Sequence, residues 1–152
     1  PFFLNTGTVV VKGKGDLVEK ISDLKPIHLV IVTPDLAINN KTATLYGYIT
    51  PADFSDGKLS DDIRNNIDSG LRLDGMFTYN AFEMVYDRVF PEISLYRGAL
   101  LTAGAPWVRM TGSGPSLYTF VHDMERALSI YQNLRAKGYT SIVSSSIQIN
   151  NP

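Results

Sequence analysis

Cysteine is absent from these 152 residues, which excludes disulfides and thiolate metal ligation. No apolar run approaches the ~20 residues that a membrane-spanning helix needs, so no membrane is expected as a partner. An excess of one charge sign is missing too: 14 Lys and Arg stand against 15 Asp and Glu, for a formal net charge of -1. That balance gives no electrostatic footprint for nucleic acid, which is not expected as a partner either. Histidine is scarce, at two residues. His28 lies in an apolar run and is expected to be a satisfied core or edge residue. His122 sits beside Asp123, but neighbours on a strand point apart, so no catalytic dyad follows. No metal-spaced cluster is present, and no catalytic residue or metal ligand is assigned. A reducing, cytoplasmic setting fits a chain without cysteine.

What is present describes a globular protein. Apolar residues make up 44% and charged residues 19%, which suits one domain with a sizeable core. Thr8-Val9-Val10-Val11 and Leu17-Val18-Glu19-Lys20-Ile21 flank Lys12-Gly13-Lys14-Gly15-Asp16, and the pattern predicts a β-hairpin. The glycines there lack the Gly-Lys-Ser/Thr ending of a phosphate loop, so a solvated turn is expected. Residues 27–32 form a run suited to a buried strand. A short helix is expected over 41–49 and a polar loop over 51–58.

Leu59, Ile63, Ile67 and Leu71 recur every four residues, the mark of a helix face. Ser60 is its candidate N-cap, with Asp61 and Asp62 at the positive end of its dipole. A second helix is expected over 77–90, with Phe82, Val85, Tyr86 and Val89 inward. A third lies between Pro91 and Gly104. Strands are expected at 107–110 and 117–122. Asp123 then caps a last helix with Met124, Ala127, Leu128, Tyr131 and Leu134 inward, and a final strand covers 140–149. The order strand, helices, strand, strand, helix, strand is that of a split βαβ plait, a ferredoxin-like α+β fold with extra helices. An antiparallel sheet with helices on one face is the expected architecture.

The run Met110-Thr111-Gly112-Ser113-Gly114-Pro115-Ser116 joins two of those strands. Gly112 and Gly114 permit positive φ and close approach to the backbone. The joint reads either as a plain bulged hairpin or as a loop whose amides face an anion. With the preceding Leu100-Leu101-Thr102-Ala103-Gly104-Ala105, it resembles the third conserved motif of the GHMP small-molecule kinases. The resemblance covers most of the chain. Within the family it is strongest to the branch that phosphorylates 4-diphosphocytidyl-2-C-methyl-D-erythritol, a cytidine diphosphate methylerythritol of non-mevalonate isoprenoid synthesis.

That resemblance implies a small-molecule substrate, with ATP and Mg²⁺ as cofactors. It implies that Thr111, Gly112, Ser113 and Gly114 support the nucleotide phosphates. Pro34-Asp35-Leu36-Ala37-Ile38 and Lys41-Thr42-Ala43-Thr44-Leu45-Tyr46 resemble the family's substrate segment. There Tyr46 would stack on the cytosine and Thr42 would line the same pocket; the residue-level alternative is a tyrosine packed on the core. Tyr79-Asn80-Ala81-Phe82-Glu83 resembles the family's Asn-Asp-Leu-Glu, with Ala81 in place of Asp. Asn80 would either face the cleft or simply cap the helix.

The opening Pro1-Phe2-Phe3-Leu4 resembles a stretch that follows the family's catalytic Asp in mid-protein. The chain therefore reads as the carboxy-terminal half of such a kinase. Residues 1–24 would be a hairpin remnant of the amino-terminal lobe, and residues 25–152 the C-terminal domain. The catalytic Asp and main ATP loop would belong to the missing lobe, leaving the fragment inactive. An exposed edge at Val9-Val10-Val11 would invite self-association. Two other readings stand beside this one. One is a stand-alone ferredoxin-like binding or regulatory module; the other is a GHMP kinase for homoserine or mevalonate.

Overall fold

The computed structural model describes residues 7–73, 75 and 78–147. The opening Pro1-Phe2-Phe3-Leu4 lies outside the described residues, as does Phe77. Two strands, β1 (Val9–Lys12) and β2 (Leu17–Lys20), pair antiparallel as the expected hairpin. Positive φ at Gly13 and Gly15 turns the chain between them.

The main sheet is built from β3 (His28–Val32), β4 (Arg109–Met110), β5 (Leu117–Val121) and β6 (Ser141–Ser145). Its strand order is β4-β5-β3-β6, antiparallel at every junction. Because β3 and β4 both run opposite to β5, which lies between them, they form the split βαβ unit of a ferredoxin-like plait. Val30 is opposite Thr119 on one side and Val143 on the other.

The described residues also form five α-helices: α1 (Lys41–Tyr48), α2 (Lys58–Asp68), α3 (Glu83–Val89), α4 (Ile93–Thr102) and α5 (Met124–Ala136). Strand alternation sends Val30, Val32, Leu117 and Val121 to one face. There they join Leu45, Val85, Tyr86, Ile93, Leu100, Ile130 and Leu134 in a single core. Each fully buried aliphatic side chain of this kind contributes roughly 1.5–3 kcal/mol by leaving water. The opposite face carries Leu29, Ile31 and Tyr118, half-buried. It also carries Phe120, which is covered by the Trp107 ring at 4.5 Å between centroids.

Several boundaries differ from the sequence expectation, each for a local reason. Ser60 does not cap α2. The helix starts one turn earlier, at Lys58 after Gly57 with φ 85, and the Asp56 carboxylate accepts the Lys58 N–H at 2.9 Å. Leu71 falls beyond the helix and is exposed, because Gly70 takes a positive φ and breaks the four-residue spacing. The helix expected over 77–90 begins only at Glu83. Asn80 Oδ1 accepts the Phe82 N–H, a side-chain turn that competes with helix. The strand expected over 107–110 shortens to Arg109–Met110, with Trp107 and Val108 buried just before it. The strand expected over 117–122 ends at Val121. In α5, Leu128 and Met124 are partly exposed and Ile130 is buried in their place; only tertiary packing sets that rotation. The final strand ends at Ser145, and residues 148–152 are outside the described residues.

Candidate functional site

The loop 111–116 turns the chain from β4 into β5 and closes on itself. The Thr111 N–H donates to the Ser116 carbonyl at 2.9 Å, and the Gly114 N–H donates to the Thr111 carbonyl at 2.7 Å. The Thr111 hydroxyl adds a bond to the Ser116 carbonyl at 3.2 Å. Those bonds occupy two of the loop's amides. The N–H groups of Gly112 and Ser113 donate to nothing among the described residues. Gly112 is exposed, with φ 49, and open space lies where its Cβ would be. Two consecutive amides, one of them on the open, positive-φ Gly112, are thus left without a partner among the described residues.

Three other elements hold that loop. Asn80 donates through Nδ2 to the Met110 carbonyl at 3.0 Å and to the Gly112 carbonyl at 2.8 Å. Its Oδ1 accepts the Phe82 N–H at 3.1 Å. The side chain therefore shapes the turn before α3 and pins the loop, but it does not cap the helix, whose N-cap is Phe82 with no side-chain bond. From α1, the Thr42 hydroxyl shares a hydrogen bond with the Ser113 hydroxyl at 2.9 Å. Tyr46 lies four residues on, along the same face of α1. It is 66% exposed, so it is not a core residue; Leu45 takes that place with no exposure. The Tyr46 ring stands edge-on to Phe82 at 5.1 Å. The structure thus brings together Thr42, Asn80, Gly112 and Ser113, which lie up to 71 residues apart, and places Tyr46 against Phe82, whose N–H Asn80 accepts. On the open face of the sheet the loop borders a cavity of about 480 Å³, lined by Leu29, Ile31, Tyr79, Asn80, Met110 and Tyr118 with the loop. That volume suits a small ligand.

Two charged residues at the base of the loop escaped sequence reasoning. The half-buried Glu83 carboxylate accepts the Met110 N–H and lies 3.8 Å from the Arg109 guanidinium. Burial pushes its pKa up; the Met110 N–H, Arg97 and Arg109 pull the other way. Arg109 donates from Nε to the Thr78 carbonyl at 2.9 Å. The signal for Glu83 was its place three residues after Asn80 in the Tyr79-Asn80-Ala81-Phe82-Glu83 run. Lys41, beside Thr42, has its pKa lowered by burial.

His28 and His122 are occupied elsewhere, His28 Nδ1 with the Ser145 hydroxyl at 2.8 Å and His122 Nε2 with the Leu73 carbonyl at 3.0 Å. Among the described residues no group of three His, Asp or Glu side chains is placed to hold a metal ion. No helix among them is long and apolar enough to cross a membrane.

This geometry has relatives. The C-terminal domain family of GHMP kinases matches residues 61–140. A 4-diphosphocytidyl-2-C-methyl-D-erythritol kinase of Dehalococcoides mccartyi is 36% identical over 148 residues, spanning 97% of this chain and 52% of that protein. The chain spans about half the length of the curated relatives it matches. The crystal structure of a 4-(cytidine 5'-diphospho)-2C-methyl-D-erythritol kinase superposes with a TM-score of 0.70 at 23% identity, covering 90% of this chain and 48% of that one. Mevalonate kinase of L. major superposes at 0.67 and 15% identity, covering 95% and 49%. At those identities the superpositions speak for the fold alone. The matched domain reaches from α2 through α5 and contains the glycine loop, so the chain belongs to the GHMP kinases and carries their C-terminal domain.

Proposed function

We propose that this chain is the part of an ATP-dependent small-molecule kinase that takes the acceptor and braces the nucleotide phosphates. The acceptor in this reading is 4-diphosphocytidyl-2-C-methyl-D-erythritol, phosphorylated on its 2-hydroxyl in non-mevalonate isoprenoid synthesis. The observation that carries it is that Thr42 bonds the Ser113 hydroxyl and Asn80 the Gly112 carbonyl of a loop whose Gly112 and Ser113 N–H groups are free, with Tyr46 exposed on the helix that carries Thr42. The name of the sequence relatives supports the acceptor.

ATP with Mg²⁺ supplies the transferable phosphoryl group. The chain's own residues bind and orient. The N–H groups of Gly112 and Ser113 donate to phosphate oxygens, each charge-assisted bond contributing roughly 1.5–3 kcal/mol. The exposed Tyr46 ring offers its face to a base, worth roughly 1–3 kcal/mol by analogy with nucleic-acid stacking. Thr42 links the two halves, because its hydroxyl touches the loop while its helix carries Tyr46. Phosphoryl transfer depends on alignment and charge stabilisation, which is what such a loop provides.

In this reading the catalytic Asp and the main ATP loop lie in a preceding lobe of the parent protein, a partner that the relatives' twofold length supports. The separate sheet of β1 and β2 supports a division at residue 24. The bond from Glu19 of that hairpin to Arg64 of α2 is then part of the contact between lobes. An ATP-consuming reaction of this kind draws on the cytoplasmic nucleotide pool. The test offers the parent protein ATP, Mg²⁺ and each of three acceptors: the cytidine diphosphate compound, homoserine and mevalonate. Only the first is expected to be phosphorylated, and the 152-residue chain alone is expected to turn over none. Preference for another acceptor would refute the substrate assignment. Turnover by the isolated chain would refute the placement of the catalytic group.

A further inference from the structure

Met110 ends a strand that pairs with β5 at only two positions, Arg109 with Tyr118 and Met110 with Leu117. So short a ladder gives the glycine loop a weak stem. The turn before α3 supplies the missing grip. Its Asn80 amide donates to the Met110 carbonyl, and its Glu83 carboxylate accepts the Met110 N–H. Both backbone polar groups of one residue are thus held by two side chains three residues apart. The same Asn80 amide continues to the Gly112 carbonyl, next to the free N–H groups of Gly112 and Ser113. A bond from a backbone N–H to an ionised carboxylate is roughly twice as strong as one between neutral partners. Keeping a half-buried acid there costs desolvation, which a neutral side chain would avoid.

We propose that Glu83 is a positioning residue for the glycine loop: its carboxylate fixes Met110 and, with Asn80, sets the direction of the Gly112 and Ser113 amides. The proposal rests on the reading that those amides serve phosphate. Glu83 does not reach the loop's open side itself, so it acts through Met110. The charged and titratable groups facing it are Arg109 on β4, Tyr118 on β5, Arg97 on α4 and Asp87 on its own helix. The two arginines favour its ionised form; burial and Asp87 oppose it. Protonation of Glu83 weakens its hold on Met110 and frees the loop to turn.

Nitrogen-15 NMR of the 152-residue chain reads this directly. The amide signals of Met110, Gly112 and Ser113 are expected to titrate together, with a midpoint above the ordinary glutamate range. Glu83→Gln, which keeps the volume and an acceptor oxygen, is expected to abolish that shared titration. The wild-type measurement needs no variant to fold. In the parent kinase, Glu83→Gln is expected to lower kcat about 10–100-fold, the order of loss that follows a reacting group displaced by ~1 Å. The KM for the acceptor is expected to stay within about twofold, a split that general destabilisation would not produce. Independent titration of the three amides, or a titration that survives Glu83→Gln, would overturn the proposal. A shared titration with unchanged kcat would uphold the grip of Glu83 on the loop and refute the phosphate role instead.

Discussion

Gly112 and Gly114 stand two residues apart, both with positive φ, at 49 and 67, yet they answer to different constraints. A Cβ on Gly114 would meet the Met110 sulfur at 2.6 Å and the Tyr86 ring at 2.9 Å. A Cβ on Gly112 would meet nothing within 4 Å. Gly114→Ala therefore adds overpacking to the left-handed backbone cost and is expected to destabilise by about 2–4 kcal/mol. Gly112→Ala bears the backbone cost alone, about 1 kcal/mol. Urea denaturation of the two variants checks the order; equal losses would mean that Gly114 is not in contact with the core. Tyr86, beneath Gly114, is fully buried, its hydroxyl has no hydrogen-bond partner among the described residues, and burial pushes its pKa up to about 12. At this scale the sequence was informative about residue types. Asn80 and the glycines stood out by spacing and resemblance. The difference between the glycines did not, because it depends on Met110 and Tyr86 folding beneath one of them.

Elements carry a second set of consequences, and the hairpin on α2 shows them best. Ile21 and Ile67 are both buried. Around them Arg64 pairs with Glu19 at 2.5 Å, and the Ser22 N–H donates to Asp68 at 3.0 Å. That bond from Ser22, followed by the Arg64 charge, holds the Asp68 carboxyl below its ordinary range. A carboxyl depressed in the folded state binds fewer protons there than when unfolded. Its contribution is complete above the unfolded pKa and is lost as pH falls through the folded one. Thermal unfolding from about pH 6 to about pH 3 is thus expected to weaken more steeply in the wild type than in Asp68→Asn. Matching slopes would show that Asp68 does not tie the hairpin down. Most elements were legible because their periodicity is strong: the hairpin, β3, α2 and α5 all exist in the expected order, though the ends of α2 and the buried face of α5 differ from what the apolar spacing put there. Starts and ends were less so. Asn80 delays α3 with its side chain, and Gly57 with Asp56 advances α2 by a turn. Both are local competitions that apolar spacing does not register.

On the scale of the whole molecule, the two sheets are unequally protected. The four-stranded sheet has its core face sealed by helices, whereas among the described residues β1 and β2 pair only with each other. Each therefore carries an unpaired backbone edge, and Val11 on β1 is 46% exposed. Unpaired apolar edges recruit other strands, and a lysine on the edge blocks this. The 152-residue chain is expected to gain apparent mass with concentration in sedimentation, and Val11→Lys to stay monomeric. A wild-type chain that remains monomeric at high concentration would show the hairpin edge to be self-sufficient. The plait itself was legible as an order of strands and helices, since a split βαβ unit leaves few ways to bury one face of each strand.

The sequence by itself determined the periodic elements, their order and the glycine-rich joint, because these rest on spacing between near neighbours. Its motifs also pointed to the kinase family. Only the tertiary structure decided which loop amides remain free, that Thr42 meets Ser113 across 71 positions, and that Glu83 and Asn80 grip the same backbone unit. Those contacts arise where separate elements converge on one end of the sheet. A hydrogen bond between residues distant in the chain leaves no period in the sequence, so nothing short of the folded arrangement specifies it.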